Sequence, residues 1–298
     1  MWILASIVAS WATFYVRVQR WRILLRPLGH VPFGPALSAT VIGFGASGVL
    51  PLRLGEFVRP ALLSRRCGFP MSATLSSVLL ERLFDILLVV SCFLAVGLLY
   101  PVPSYLKQAA MVLAIFVFIG LVVLGLVLRF RAATERIVAA VVRALPARAA
   151  GIVEPMSRAF LDGLGALSDV KTVAMVLGYT VYLWGVILFT FMFAFLALDM
   201  NVPLVEASLT SVVIVAAFVF LPQGPGFVGT WQAGCVLALQ LYNVPKDVAV
   251  GYSLLTWVVS MVVNVGSAAV FLAREDLSLR QLVNVAEVEP PTGTEGSA

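Results

Sequence analysis

Long apolar runs follow one another almost from end to end of the chain, and they restrict the fold more than any other feature. A helix rises about 1.5 Å per residue and the hydrocarbon core of a bilayer is about 30 Å thick, so a spanning helix needs about 20 apolar residues. Residues 72–100, 107–128, 172–198 and 248–273 are long enough, and residues 1–16 are marginal. Because 61% of the 298 residues are hydrophobic and only 12% are charged, the sequence predicts an all-α, polytopic membrane protein.

Two other apolar stretches do not fit simple crossings. Residues 36–50 would extend only about 22 Å as a helix, and the basic clusters on both sides of them should share one face of the membrane. Residues 204–243 are interrupted at 221–226 by LPQGPG, where Pro removes a backbone donor and Gly permits non-helical backbone. We predict two opposed re-entrant helical hairpins and about five full crossings; the alternative is that Pro and Gly only kink two helices. The residues expected to break the helices are Gly45, Gly48, Pro222, Pro225, Gly226 and Gly229.

Basic charge is concentrated in two parts of the chain. Eight Arg and one acidic residue lie between Arg17 and Arg66, and seven Lys or Arg lie between Arg129 and Lys171. The positive-inside rule places both parts in the cytoplasm, with the N-terminus outside and the C-terminus inside. These charges flank apolar runs, so they favour membrane lipids with anionic headgroups as partners and argue against nucleic acid.

The membrane domain is predicted to cover residues 1–280. Within it, residues 129–170 are expected to form a cytoplasmic element, in which apolar residues at 3–4 spacing indicate a helix lying on the membrane surface. Residues 281–298 are polar and rich in Pro, Gly and Glu, which predicts a disordered cytoplasmic tail.

Three ionisable residues inside the run 72–100 are the strongest chemical signal. Glu81, Arg82 and Asp85 lie about 13–20 Å along that helix, and each ionised group near the centre of a membrane helix costs about 2.5–3.5 kcal/mol. These side chains must therefore face partners or water. Glu81 and Asp85 share one helix face because they are four residues apart, so a cation or a proton is needed there.

The segment that leaves the first predicted hairpin supplies candidate partners. We expect Arg53 and Arg59 to approach the carboxylates of Glu81 and Asp85. We also expect Glu56 to approach the guanidinium group of Arg82. Such a group is either a structural ion network that fastens the hairpin or a binding site for a lipid headgroup, and the two roles are compatible. Broken helices that enter from opposite faces form midplane sites in transporters, so the breaks also predict a cavity.

Sites of other kinds have less support. Gly45 to Gly48 matches the GxSG of intramembrane serine proteases, but these need a membrane-embedded His and the only His is His30 in a loop. The GxGxxG at 224–229 lies in no βαβ unit, which argues against a dinucleotide site. One His and three isolated Cys cannot supply a usual metal-ligand set. The sequence therefore predicts no enzyme activity, no metal and no cofactor.

Four sequence segments together carry a resemblance to a known family. They are RWRILLRPLG at 20–29, LPLRLGEFVRPALLSRRCG at 50–68, ERLFD at 81–85 and LPQGPGFVGTWQAGCVLAL at 221–239. In this order and spacing they resemble the lysylphosphatidylglycerol synthase transmembrane family. This family is also described as flippase-like and includes the membrane half of the multiple peptide resistance factor.

The resemblance implies a multi-helix bacterial inner-membrane fold with re-entrant segments, in members associated with moving aminoacylated or glycosylated lipids between leaflets. It implies that Gly55, Glu56 and Arg59 match a GE..R segment. Glu81, Arg82 and Asp85 match an ER..D helix. The residues that match a P..PG..G break are Pro222, Pro225, Gly226 and Gly229. Gln232 departs from the pattern, since many relatives carry Glu there. The chain is expected to lack the soluble aminoacyl-transferase domain, so synthase activity is not implied.

These observations favour a translocase for a lipid or a lipid-linked molecule, which binds the polar headgroup in an intramembrane cavity. Arg53, Arg59 and Arg82 would meet the phosphate, because guanidinium pairs with it bidentately. The alternative is a non-catalytic membrane partner that scaffolds a glycosyltransferase or lipid-modifying enzyme through residues 129–170. A membrane-embedded transferase has the least support, since the sequence offers no nucleophile or metal set.

Overall fold

The computed structural model is helical throughout the part of the chain that it describes, which confirms the all-α prediction there. The described residues are 1–50, 54–99, 104–146, 169–219 and 225–275, with scattered positions between 150 and 164. The α-helices, numbered in chain order, are α1 (Trp2–Leu24), α2 (Phe33–Val49), α3 (Gly55–Cys67), α4 (Met71–Leu99), α5 (Ser104–Arg129), α6 (Arg131–Ala144), α7 (Val170–Ala197), α8 (Leu204–Val219), α9 (Thr230–Gln240), α10 (Lys246–Met261) and α11 (Ser267–Arg274).

The long helices coincide with the long apolar runs. A π-helical segment, Val262–Gly266, joins α10 to α11 in one 29-residue rod. This rod and the 28-residue α7 are long and apolar enough to cross a membrane by length and composition, as predicted for 248–273 and 172–198. Helices α4 and α5, of 29 and 26 residues, occupy the other two predicted runs.

Helix α1 is longer than predicted, since it continues past residue 16 to Leu24. It packs against α2, α4 and α7. Ser6 donates a hydrogen bond to the carbonyl of Thr190 at 3.1 Å, and Arg20 donates one to Thr180 Oγ1 at 3.0 Å, so α1 and α7 run antiparallel. The basic second half of α1 therefore belongs to the interior of the helix bundle.

Asp169 fixes the start of α7. Its carboxylate accepts hydrogen bonds from the backbone N–H groups of Lys171 and Thr172 at 3.1 and 3.0 Å and from Thr172 Oγ1 at 2.7 Å. Such a cap satisfies donors that the first turn of a helix leaves free. The hydrogen bonds from Thr172 and Lys171 hold the pKa of the Asp169 carboxyl below its usual range.

The first predicted break is in the wrong place. Helix α2 runs without interruption through Gly45 and Gly48, and the helix ends only after Val49. These glycines serve close packing instead, because a methyl group at Gly45 would overlap Cβ of Ala268, and one at Gly48 would lie 3.2 Å from Val265 Cγ2. The interruption falls between α2 and α3, which pack against each other.

The second break lies where the sequence predicts it, between α8 and α9, which also pack against each other. Gly226 and Gly229 have φ of +71° and +86°, a region that side chains disfavour. Pro225 begins a short 3-10 turn, and Pro222 lies outside the described residues. Gln232 Oε1 accepts a hydrogen bond from the backbone N–H of Gly229 at 2.7 Å, so this side chain caps the start of α9.

The close approach of α2 to the α10–α11 rod can be tested at Gly45. Gly45→Ala should lower the free energy of unfolding by about 1–3 kcal/mol, the usual cost of overpacking. Ala268→Gly removes the nearest overlapping atom but leaves the carbonyl oxygen of Asn264 at 2.9 Å, so the double variant Gly45→Ala, Ala268→Gly should recover part of that loss. Thermal unfolding in detergent measures both, and a double variant no more stable than Gly45→Ala would contradict the packing.

Candidate functional site

Two carboxylates of α4 are buried among cationic side chains. Glu81 is 0% exposed and Asp85 is 2% exposed. Arg20 of α1 and Arg59 of α3 are 0% and 3% exposed beside them. Helices α1, α3 and α4 therefore meet through ionised groups in an apolar interior. We call Arg20, Arg59, Glu81, Arg82 and Asp85 the ion cluster.

Asp85 is held by Arg20 through both carboxylate oxygens. Arg20 Nη1 lies 2.6 Å from Oδ1, and Nη2 lies 3.1 Å from Oδ2. Trp184 Nε1 of α7 donates a further hydrogen bond to Oδ1 at 3.2 Å, and Arg82 Nη1 lies 3.6 Å from Oδ2. The sequence does not predict Arg20 as the partner of Asp85; of the two arginines expected near Glu81 and Asp85, Arg53 lies outside the described residues.

Glu81 pairs with Arg59, as predicted. The distances from Arg59 Nη1 and Nη2 to the Glu81 carboxylate oxygens are 2.5 and 3.4 Å, and Arg20 Nε lies 3.5 Å from Oε1. The Arg59 guanidinium also stacks on Trp21 with 3.8 Å to the ring centroid. Trp21 Nε1 donates to Ser77 Oγ of α4 at 2.8 Å, so α1, α3 and α4 are fastened together here.

The buried part of the ion cluster has a structural role. Removing a charge from water costs several kcal/mol, and only good geometry and additional hydrogen bonds compensate for this. The bidentate contact of Arg20 to Asp85 and the pair of Arg59 with Glu81 supply most of that compensation inside the protein, while the Nε atoms of Arg20 and Arg59 donate no hydrogen bond to a described residue. The ion-network interpretation of the sequence therefore applies to this half of the cluster.

A cavity of about 220 Å³ lies next to the ion cluster and is bounded by side chains of most of the helices. Glu56, Arg59, Arg82 and Asp85 line it, whereas Glu81 does not. The expected approach of Glu56 to Arg82 stays a prediction. Gly45, Gly48, Gly226 and Gly229 are not among the lining residues, but Phe227, beside the second break, is.

The cavity has a charged end and an uncharged polar end. Arg17, Thr13 and Ser10 line it from one face of α1, and Arg17 and Ser10 lie about 10 Å apart along that helix. On the antiparallel α7, Trp184 and Thr190 line it with about 9 Å between them. Trp184 contacts Asp85 at the charged end. The rod adds Thr256, Ser260 and Asn264 to the lining.

Arg17 is a site residue that the sequence alone did not single out. It is half-buried, lines the cavity and lies over the ring of Phe44 with 4.4 Å to the centroid. Among the described residues, no carboxylate forms an ion pair with it. The sequence pattern places Arg17 and Arg20 in a cytoplasmic basic cluster. The packing of α1 instead places them in the interior of the helix bundle.

The π-helical segment brings a polar side chain to the cavity wall. Asn264 lies within it and donates hydrogen bonds from Nδ2 to the carbonyl and to Oγ of Ser260, at 2.8 and 3.1 Å. Single π-helical turns inside α-helices are frequent at functional sites. The extra residue of this turn therefore adds an amide to the cavity wall.

Comparisons with known proteins place the chain in a family. No curated protein and no solved structure gave a significant match. The sequence model of one family matches residues 1–267, which is most of the chain and includes every residue of the ion cluster and of the cavity wall. That family is described as "Lysylphosphatidylglycerol synthase TM region", and the chain belongs to this family of membrane proteins.

Proposed function

We propose that the protein is a lipid translocase that holds the polar headgroup of a lipid or lipid-linked molecule in the cavity while the acyl chains stay in the bilayer. One observation carries this proposal: a cavity inside an apolar helix bundle is lined by guanidinium groups and hydroxyl groups. Charged side chains at such a depth are costly and generally mark a substrate pathway. In this assignment the protein is not an enzyme and uses no cofactor.

The charges of the cavity suit a phosphate. Arg17, Arg59 and Arg82 line it, and the Asp85 carboxylate, which also lines it, is already held by Arg20. Guanidinium groups bind phosphate oxygens through short, charge-assisted hydrogen bonds. A headgroup phosphate that enters would therefore meet cationic donors whose positions are set by the ion cluster.

The two interrupted helix pairs suit a path for the headgroup. In the proposed membrane arrangement, α2–α3 and α8–α9 are re-entrant hairpins that reach the midplane from opposite faces, together with about five full crossings. The protein lies in the bacterial inner membrane with its N-terminus outside and its C-terminus in the cytoplasm. Irregular backbone at membrane depth is tolerated where it lines a polar cavity, and Phe227, next to Gly226, lines this one.

The role of Arg82 can be separated from the folding role of the ion cluster. Arg82 is 18% exposed and lies 3.6 Å from Asp85, which keeps its contacts to Arg20 and Trp184 without it. Arg82→Gln should therefore fold, yet slow lipid movement at least about tenfold, since a hydrogen bond to a charged group contributes about 1.5–3 kcal/mol. Proteoliposomes with a fluorescent phosphatidylglycerol, bleached from outside by dithionite, measure the rate.

Arg136→Gln is the matched control, because Arg136 is exposed on α6, away from the cavity. It should move lipid at the wild-type rate. A wild-type rate for a well-folded Arg82→Gln variant would overturn the assignment of this residue.

A second function, scaffolding a membrane enzyme, is favoured by α6. Ile137 and Val141 are 64% and 55% exposed on this helix, whereas Val142 is buried, so part of its apolar side has no cover among the described residues. Either the membrane surface or a partner protein could cover such a side. If the purified wild-type protein moves no lipid, and an enzyme co-purifies with it only while residues 129–170 are intact, scaffolding replaces translocation as the proposed function.

A further inference from the structure

We infer that the cavity selects phosphate esters of a polyol, such as a phosphoglycerol or a sugar phosphate, and rejects headgroups that carry an ammonium group. This inference rests on the proposed lipid-binding function and specifies its substrate class. It separates this chain from a carrier of lysyl-modified lipid. The argument depends on the charge balance at one end of the cavity and on the hydrogen-bonding groups at the other.

At the charged end, the Asp85 carboxylate is not available to an ammonium group. Both oxygens of Asp85 are bonded by Arg20, and one of them also by Trp184. Glu56 lines the cavity too; it has an interaction partner, and its Oε1 accepts no hydrogen bond from a described residue. An ammonium group that leaves water needs a carboxylate in close contact to compensate for its lost hydration. Here it would have to displace a guanidinium that is already in place.

At this end of the cavity the described cationic side chains are more numerous than the carboxylates. Around the cluster and the cavity the described charged residues are four arginines and three acids, namely Arg17, Arg20, Arg59, Arg82, Glu56, Glu81 and Asp85. Arg17 is the arginine among them that forms no ion pair with a described residue, and it covers one face of Phe44. That aromatic face is therefore already occupied by a cation. A phosphate group can pair with the Arg17 guanidinium, whereas a second cation, such as an ammonium group, is repelled by it.

The uncharged end suits hydroxyl groups. Ser10, Thr13 and Thr190 line it from α1 and α7, and the rod adds Ser260 and Asn264 to the cavity wall. Ser260 Oγ accepts from Asn264, so its own hydrogen is free to be donated. Hydroxyl and amide groups both donate and accept, as the hydroxyls of glycerol or a sugar do. The separation of about 10 Å between the two ends leaves room for such a group beyond the phosphate.

The test compares two probe lipids that share a phosphoglycerol but differ in charge. The melting temperature of the purified protein in detergent is measured with phosphatidylglycerol or with lysylphosphatidylglycerol. The translocation of both lipids is measured in proteoliposomes. We expect phosphatidylglycerol to stabilise the fold at concentrations at least about tenfold lower, and to move at least about tenfold faster, because like charges repel strongly in a desolvated site. Equal effects of the two lipids, or stabilisation by neither, would overturn the inference.

Variants of Arg17 show whether this residue causes the selection. Arg17→Gln removes the charge and should bring the two lipids to within about threefold of each other, whereas Arg17→Lys keeps the charge and should keep the preference. An unchanged preference in Arg17→Gln would show that this residue does not select. Ser260→Ala tests the other end: it should reduce the preference for phosphatidylglycerol over phosphatidic acid, and an unchanged preference would remove the polyol from the assignment.

Two further measurements distinguish a failure of this inference from a failure of the proposed translocase function on which it rests. Selective stabilisation without movement of any lipid would leave the headgroup assignment standing and refute translocation. Glycerol phosphate without acyl chains should stabilise the protein less than phosphatidylglycerol does. If it stabilises the protein equally well, the site binds a soluble phosphate ester, and the assignment to a lipid headgroup fails.

Discussion

Arg20→Met should lower the free energy of unfolding by about 3–5 kcal/mol, because it removes one partner of a buried ion pair and leaves the other charge behind. Arg20 is 0% exposed and bonds both oxygens of Asp85. Trp184 and the more distant Arg82 would be the remaining neighbours of that carboxylate. They supply one hydrogen bond and one longer contact in place of a bidentate pair.

Arg26→Met is the control for this experiment. Arg26 is exposed just beyond the end of α1, so the same chemical change there should alter the free energy of unfolding by less than about 0.5 kcal/mol. Titration with sodium dodecyl sulfate in mixed micelles, followed by tryptophan fluorescence, measures both variants. Equal stability of the two variants would show that the ion cluster does not hold the bundle together.

A double variant separates folding from lipid movement. Arg20→Met with Asp85→Leu removes both charges and replaces them with apolar side chains, which is often neutral or stabilising for a buried pair. The double variant should therefore recover most of the stability lost in Arg20→Met. Asp85 lines the cavity, so lipid movement should stay impaired even though the protein folds.

The sequence predicted those features that depend on local chemistry. The length and apolarity of a run determine whether it forms a long helix, and α4, α5, α7 and the rod follow the predicted runs. The second break is also local, since Gly226 and Gly229 adopt the positive φ that glycine accepts most easily. The Arg59–Glu81 pair could be predicted because a carboxylate deep in a membrane helix needs a cation, and Arg59 lies on the adjacent helix.

The sequence could not locate the residues that depend on packing between distant helices. Arg17 and Arg20 lie near the end of an apolar run, where a cytoplasmic location and an interior location have the same sequence pattern. The contact between Arg20 and Asp85 joins residues 65 positions apart. Only the packing of α1 against α4 and α7 turns a basic helix end into the wall of a cavity.

Glycine has two uses in a membrane helix, and the sequence pattern does not distinguish them. It can end a helix, or it can allow two helices to approach closely. Gly226 serves the first use and Gly45 serves the second. In α2, close packing against α3 and the rod offsets the low helix propensity of its glycines, which is about 1 kcal/mol each relative to Ala.

The contact of Gly55 with backbone atoms of α2 gives the second large expected effect. A methyl group at Gly55 would overlap the carbonyl oxygen of Gly43 and the backbone nitrogen and Oγ of Ser47. Backbone atoms cannot rotate away as a flexible side chain can, so Gly55→Ala should cost about 3 kcal/mol, at the upper end of the range for overpacking. Thermal unfolding of the purified variants in detergent measures the loss.

Gly34→Ala in the first turn of α2 is the matched control, since a methyl group there meets no atom within 4 Å. Its stability should equal or slightly exceed that of the wild type, because Ala favours the helix.

Arg59 lies one turn after Gly55 on α3 and pairs with Glu81. The shift of α3 in Gly55→Ala should therefore also separate this ion pair and stop lipid movement in the molecules that still fold. If Gly55→Ala is as stable and as active as Gly34→Ala, α2 and α3 do not approach as closely as this fold requires, and the position of Arg59 at the cavity loses its structural basis.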